Sequence, residues 1–279
     1  MQLASANVID ISTTSLKGLR PPLKWAGGKR WLVPEVRSLF ESSQSGRNDQ
    51  PRLVEPFCGG LAIALGLSPE QALLNDINPH PVYFYRWLRK GLTCDLPMRN
   101  DEDDYYRYRN VFNSLVTRGK AHTKKAAELF YYLNRTGYNG LCRFNKKGEF
   151  NVPFGRYKNI NYVRDFTCYR DPFSDWHFSQ GDFALLPLRK TDFIYADPPY
   201  DVQFTQYAKE GFVWRDQVRL AKWLSGHRGP VVASNQATDR IVELYRGLGF
   251  ELRFLDAPRM INCTGDRSPA REILALRNF

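Results

Sequence analysis

Short apolar runs that end in polar or turn residues alternate with segments of helical spacing along much of this chain. Leu53-Val54, Leu73-Leu74, Phe193-Ile194-Tyr195-Ala196 and Val231-Val232-Ala233-Ser234 are such runs. Buried parallel strands carry this pattern because both of their faces are covered. Val218, Leu220, Ala221 and Leu224 fall at helical spacing, as do Ile241, Val242, Leu244, Tyr245 and Leu248. Strands alternating with helices predict a parallel α/β sheet. Two late runs, Leu252-Arg253-Phe254-Leu255 and Ile273-Leu274-Ala275-Leu276, predict an added edge pair.

The alternation stops in the middle. From about Tyr85 to His177 the chain is rich in Arg, Lys, Tyr and Asn, with a helical pattern from Lys124 to Leu133. Cys142 to Phe154 reads as a hairpin turning at Lys147-Gly148. The organisation predicted is a mostly helical domain, residues 85–177, inserted between two parts, 20–84 and 178–279, of a sheet domain. A flexible tail is expected over residues 1–19, which lack a basic start and an unbroken apolar stretch and so do not read as a secretory signal.

Composition narrows this picture. The 43% hydrophobic and 25% charged residues are those of a globular chain with a sizeable core. No run approaches eighteen apolar residues, so no membrane-spanning helix is expected. Five scattered cysteines without a CxxC pair argue for reduced thiols in a cytosol, and against disulfides or structural zinc. No metal is expected, and nothing calls for an obligate protein partner. The net charge of +11 points to a polyanionic partner.

Four motifs carry chemistry. Asp197-Pro198-Pro199-Tyr200 follows the apolar run ending at Ala196, and ligands of open α/β sheets bind at the carboxyl ends of strands. An exocyclic purine nitrogen is a poor nucleophile because its lone pair is delocalised into the ring. The Asp197 carboxylate and the Pro198 carbonyl can each accept one of its hydrogens, which favours a pyramidal nitrogen and frees the lone pair. Tyr200 offers a face on which a purine can stack. The plainer alternative is a rigid turn with an incidental Asp. In the second motif, Leu53-Val54-Glu55-Pro56-Phe57-Cys58-Gly59-Gly60, a strand runs into a glycine turn where backbone can approach a cofactor closely. One strand later Asn75-Asp76 places an acid suited to both hydroxyls of a ribose, although a tight structural turn also accounts for the glycines. In the third, Lys24-Trp25-Ala26-Gly27-Gly28-Lys29, Trp25 can pack on a purine or on a sulfonium, and the lysines can meet a carboxylate or phosphates. The spacing of a triphosphate loop is missing. The fourth, Asn134 to Lys158, holds six Lys or Arg, Arg156 among them, against one Glu, interleaved with Tyr138, Phe144, Phe150, Phe154 and Tyr157. Such a stretch can meet phosphates and base edges, or it can be a solvated hairpin over a small aromatic core.

In this order the motifs resemble the Dam-type adenine DNA methyltransferases. The matching pieces are LKWAGGK (Leu23 to Lys29), LVEPFCGG (Leu53 to Gly60), NDIN (Asn75 to Asn78), the long stretch Tyr132 to Lys158, and DPPY; SNQ (Ser234 to Gln236) is a weaker match. The resemblance implies a Rossmann-like class I methyltransferase sheet with an inserted, mostly helical recognition domain carrying a β-hairpin. It implies transfer of a methyl group from S-adenosylmethionine to the N6 amino group of a flipped adenine in double-stranded DNA, within GATC, in a bacterial or phage-infected cytoplasm. It places Trp25, Lys29 and Asp76 at the cofactor, with Glu55, Pro56, Phe57 and Gly59 lining it and Asp182 on the cofactor's adenine amino group. Asp197, Pro198 and Tyr200 would hold the target, Asp197 bordering the cofactor as well. Lys24, Tyr138, Asn139, Leu141, Arg143 and Pro153 would face DNA, with Arg156 among the basic residues beside them. Two places depart from the family pattern. Leu61 stands where a third glycine is usual, and the arm Arg259 to Arg267 carries Asn262-Cys263-Thr264-Gly265 in place of a Ser-Asn-rich run.

Two other functions compete with this one. The first is a cytosine-amino or RNA methyltransferase, disfavoured because the cytosine enzymes usually carry Ser at the place of Asp197. The second is a catalytically silent DNA-binding subunit, disfavoured by the intact DPPY, Lys29 and Asp76.

Overall fold

A computed structural model describes residues 5–8, 18–44, 49–201, 211–257 and 270–279. The chain forms two compact units. One comprises residues 1–30, 59–68 and 78–180, the other 31–58, 69–77 and 181–279.

The second unit is the sheet. Its strands are β2 (Leu53–Glu55), β3 (Ala72–Asp76), β6 (Phe193–Ala196), β7 (Val231–Gln236), β8 (Glu251–Ala257) and β9 (Ala270–Arg277). They are neighbours in the order β3-β2-β6-β7-β9-β8 within a seven-stranded sheet. The pairs β2/β3, β2/β6 and β6/β7 are parallel, and β9 runs antiparallel to both β7 and β8. The expected parallel sheet with a late antiparallel pair is therefore present. Every residue of β2 and β6 is buried, which is why β6 is an unbroken apolar run and β2 is apolar up to its last residue, the buried Glu55. β8 lies at the edge and is mostly exposed. Helices α6 (Trp214–Ser225) and α7 (Asp239–Gly247) bury Leu220, Ala221, Leu224, Ile241 and Tyr245 against Val54, Ile194, Ala196, Val231 and Ala233. Each of the larger aliphatic side chains among them contributes about 1.5–3 kcal/mol on burial. Helix α1 (Val33–Ser42) buries Val36, Leu39 and Phe40.

The first unit is mostly helical. Helix α3 (Pro79–Leu88) starts at Asn78, whose side chain accepts from the His80 amide (3.0 Å), with Pro79 at the first helical position. Helix α4 (Glu102–Thr117) is capped by Asp101, and three acids in its first turn oppose the helix dipole favourably. Helix α5 (Lys124–Thr136) is buried without a break from Ala126 to Asn134 and forms the unit's centre. Around it Phe84 stacks on Tyr131 (centroids 5.6 Å apart), and Phe112, Phe130, Phe150 and Phe166 are buried. The unit also holds α2 (Ala62–Leu67), β4 (Asn159–Tyr162) and β5 (Trp176–Gln180).

Residues 142–154 turn back on themselves as expected. Asn145 donates to Glu149 O (2.9 Å), Asn151 to Arg143 O (3.1 Å), and Gly148 sits at φ +75°. Phe144 and Phe150 form one antiparallel bridge, so the hairpin is a bridged turn and not an extended ladder.

Two expectations need correction. The flexible tail over 1–19 is interrupted by a strand, β1 (Ser5–Val8), which pairs in parallel with β4, Ser5 opposite Asn159. The rest of that tail up to residue 17 is outside the described residues, as are Cys263 and the arm Arg259 to Arg267. The boundaries drawn at 84/85 and 177/178 fall inside α3 and β5, whereas the units divide at 77/78 and 180/181. Both elements are continuous, so a composition change along them does not mark a division. Among the described residues no helix is long and apolar enough to cross a membrane.

Candidate active site

Because β2, β3, β6 and β7 run in parallel, their carboxyl ends share one edge of the second unit's sheet. Glu55, Asp76, Asp197 and the Ser234-Asn235-Gln236 triplet all stand at that edge. The chain leaves β2 toward β3 on one side, and β6 adds on the other, so the β2/β6 junction is a topological switch point, the usual binding crevice of such sheets.

The Asp197-Pro198-Pro199-Tyr200 loop is held by side chains that sequence reading did not assign. Ala196 pairs with Ala233 in the β6/β7 register, which brings Asp197 level with Ser234. The Ser234 hydroxyl donates to Asp197 Oδ1 at 2.7 Å. A carboxylate has about four acceptor sites, so this bond orients Asp197 and leaves capacity for further N–H donors. The Tyr200 hydroxyl donates to Glu272 Oε2 at 2.7 Å. Gln217 Nε2 donates to the Pro199 carbonyl (2.8 Å), and Asn235 Nδ2 donates to Gln217 Oε1 (3.0 Å). Asp201, directly after the motif, is buried and forms an ion pair with Arg240. Burial, with the Asp197 and Glu272 charges adding to it, pushes Tyr200 far above the usual phenol range. It is therefore a hydrogen-bond donor and never a phenolate at neutral pH.

At the β3 end, Asn75 Nδ2 donates to the Pro56 and Gly181 carbonyls (3.0 and 2.9 Å), and Gly181 N donates to Asp76 O (3.2 Å). These bonds join the Glu55-Pro56-Phe57 turn, Asp76 and the Asp182 segment. Phe57 packs on Phe183 and Phe212 (centroids 5.6 and 5.5 Å). Burial, then Asp76 and Glu55, raises the Cys58 thiol well above its ordinary range, which keeps it neutral and unreactive. Asp182 caps Ala184 (2.9 Å) and accepts two bonds from the Arg219 guanidinium (2.8 and 2.7 Å). Arg219 holds its carboxyl below the usual range. Arg219, which also lies over the Phe183 ring at 4.3 Å, carried no sequence signal.

Next to these two acids stand large apolar side chains left in solvent, Ile77 at 68% and Leu185 at 83% exposure. Exposed apolar groups beside half-buried carboxylates suit a nucleoside, whose ring is apolar on its faces and whose ribose and amino hydrogens need acceptors. The acceptor set of this edge thus fits an adenosine-bearing cofactor. An exposed Ile directly after the acid was the available signal.

In the first unit, Trp25 lies against the glycine turn. A Cβ at Gly59 would come within 2.7 Å of Trp25 Nε1, and one at Gly60 within 2.7 Å of Trp25 Cβ. The glycines are required because an indole occupies the space a side chain would need. Leu61 follows at φ +62°, fully buried, a left-handed conformation a glycine adopts without cost. The turn therefore survives the departure with leucine strained in place of glycine. Lys29 is buried and donates to Gly27 O (3.1 Å).

All seven DNA-facing candidates belong to this unit. Tyr138 and Asn139 are exposed, Asn139 in the left-handed region at φ +51°. Pro153 and Arg156 are exposed as well, and Leu141 is half-buried. Arg156 reaches Glu102 at 3.1 Å. Arg143 is braced by Asn151, Nε to Oδ1 at 2.8 Å and a terminal nitrogen to the carbonyl at 3.1 Å. Lys24 is half-buried, donating to Arg135 O (3.0 Å) with its ammonium 3.8 Å from the Tyr157 ring centre. Burial, then Arg135, brings its ammonium down to about 8. Of the aromatics, Tyr138 is exposed and Phe150 is core, so the stretch is both a surface and a small core.

Residues 25–259 match the family described as D12 class N6 adenine-specific DNA methyltransferase. The chain is 35% identical over 271 residues to the retron Ec67 DNA adenine methylase of Escherichia coli, covering 91% of this chain and 90% of that protein. It is 34% identical over 282 residues to a DNA adenine methylase of Vibrio cholerae, covering 94% and 97%. It is also 32% identical over 279 residues to the type II methyltransferase M.MjaIII of Methanocaldococcus jannaschii, covering 89% and 95%.

Proposed function

Because this chain belongs to the D12 class of N6 adenine-specific DNA methyltransferases, we propose that it methylates adenine within GATC sites of duplex DNA after flipping the base out of the helix. Its methyl donor is S-adenosylmethionine, and its sheet is that of the class I methyltransferases. The observation that carries the reading of the site is Asp197, one residue beyond β6, held by the Ser234 hydroxyl at the sheet's carboxyl edge.

Asp197 and the Pro198 carbonyl accept the two amino hydrogens of the target adenine. The carboxylate charge stabilises the positive charge that grows on nitrogen as the methyl group arrives. Tyr200 stacks on the extruded base. The amino group is paired inside the duplex, so extrusion is needed to reach it. The cofactor supplies an electrophilic sulfonium-bound methyl. Asp76 would accept from its ribose and Asp182 from its adenine amino group, and Glu55, Pro56, Phe57 and Gly59 would line it, with Trp25 and Lys29 as the residues that would serve its methionine moiety. Lys24, Tyr138, Asn139, Leu141, Arg143, Pro153 and Arg156 meet DNA, consistent with the basic charge of the chain and the exposure of four of them. Pairing of the amino acceptors with positioning of donor and acceptor atoms accounts for most of the rate.

The test is restriction of unmethylated plasmid after incubation with the protein and S-adenosylmethionine. Two nucleases that both cut GATC, one blocked by adenine methylation and one indifferent to it, are used in parallel. Protection against the first alone supports the reading. Methyladenine in the DNA without protection would place the site in another sequence.

A further inference from the structure

We propose that Glu272, on the antiparallel strand β9 between β7 and β8, is a positioning residue for methyl transfer that fixes Tyr200 through its phenol; this rests on the role proposed for the Asp197–Tyr200 loop. Register brings the pieces together. Ala196 opposite Ala233 sets Tyr195 and Asp197 on the face of the sheet that carries Ser234. Glu272 is opposite Gln236, and Gln236 shares that face because it lies two residues beyond Ser234. One face of three adjacent strands therefore presents Tyr195, Asp197, Ser234 and Glu272. The hydrogen bonds run between them in two short chains, Tyr195 Oη with Ser234 Oγ (3.2 Å) and on to Asp197 Oδ1 (2.7 Å), and Tyr200 Oη to Glu272 Oε2 (2.7 Å).

Glu272 is a costly way to tie down a tyrosine for stability alone. It is only 8% exposed, and burying a carboxylate carries a large desolvation cost that a neutral acceptor would avoid. One feature of the arrangement suits the reaction instead. A charged acceptor makes the stronger and more directional bond to the phenol, and it fixes the plane of the ring that is to receive the purine. Burial first, then Asp197 and Glu272, keeps the Tyr200 phenol protonated, so the phenol stays the donor of this bond. Sequence reading passed over Glu272 because it begins an apolar run, Ile273 to Leu276, that reads only as a strand.

The experiment is single-turnover methylation of unmethylated plasmid DNA by the full chain in excess, with labelled S-adenosylmethionine, alongside dissociation constants for cofactor and DNA. Glu272→Ala and Tyr200→Phe are each expected to slow the chemical step about tenfold while both dissociation constants stay within about twofold. The double variant should be no slower than the single ones, because both remove one interaction. Glu272→Gln, which keeps an acceptor but not the charge, should fall between Glu272→Ala and the wild type. If Glu272→Ala does not fold, Tyr200→Phe and Glu272→Gln carry the test. A wild-type rate in Tyr200→Phe, or rate losses that multiply in the double variant, would overturn the proposal. Asp197→Asn in the same assay separates the two levels. Its collapse with intact rates in the Glu272 and Tyr200 variants rejects the positioning role alone, whereas its full activity rejects the loop's role.

Discussion

Gly60→Ala isolates the contact between the glycine turn and Trp25. Gly60 is not in the left-handed region, so alanine meets no backbone penalty there and the effect is steric. Its Cβ would stand 2.7 Å from Trp25 Cβ and 3.1 Å from Cγ. Carbon atoms rest about 3.5–4.0 Å apart, so the indole or the turn has to give by about 1 Å. Overpacking of this kind costs about 1–3 kcal/mol in a well-packed site. If Trp25 lines the cofactor as proposed, the displacement also weakens S-adenosylmethionine binding, by roughly tenfold for each 1.4 kcal/mol lost. The assay is calorimetric titration with S-adenosylmethionine beside a thermal melt. Gly28→Ala is the control, since its nearest neighbour is the Trp25 carbonyl at an ordinary 3.5 Å. In a Trp25→Ala background Gly60→Ala should cost nothing further. A lowered melting temperature with unchanged cofactor affinity would refute the cofactor role of Trp25, and no change in either would refute the packing itself.

Asp76→Ala should weaken S-adenosylmethionine binding by about 1.5–3 kcal/mol, the scale of a charge-assisted hydrogen bond, and leave DNA binding intact; unchanged cofactor affinity on titration would make Asp76 a strand-end residue only. Lys24 is charged below about 8 and neutral above it, so DNA affinity should fall between about pH 7 and 9. Lys24→Arg, which stays charged, should flatten that fall; equal slopes in a fluorescence-anisotropy series would contradict a cationic DNA contact. Arg143→Ala should relax discrimination at one base pair by roughly 1–3 kcal/mol, measured by competition between single-base variants of the site, and a uniform loss across all sequences would assign Arg143 to a phosphate instead.

The parts legible in the sequence were those with short-range signatures. Fully buried parallel strands announce themselves as apolar runs, and β2, β3, β6 and β7 all lie where such runs stand. Asp197 was legible because a carboxylate at a strand's end before two prolines is a local pattern. Ser234, Glu272, Gln217 and Arg219 were not, because each acts across 18 to 72 residues of sequence on a partner that only the register or a helix face supplies. The division into units was partly hidden for the same reason. Gly59 to Ser68 reads as the continuation of a sheet motif yet packs with the helical unit, through Trp25 on Gly59 and Tyr85 Oη on the Gly59 carbonyl at 2.6 Å. Strands β1 and β4 are four residues each; β4, Asn-Ile-Asn-Tyr, alternates polar and apolar, but over the shortest run that marks a strand.

The central claim is that the Asp197 carboxylate acts on the target amino group and not in folding. Asn keeps nearly the same shape and an acceptor for the Ser234 hydroxyl, which donates to Oδ1 at 2.7 Å, but loses the negative charge. The measurement is single-turnover methylation by Asp197→Asn, with 2-aminopurine at the target position of a parallel duplex reporting base extrusion. The account predicts normal folding, normal binding of DNA and S-adenosylmethionine, persistent extrusion, and a chemical step slower by at least about a hundredfold, the scale for losing one preorganised electrostatic partner. Methylation at near wild-type rate would contradict it.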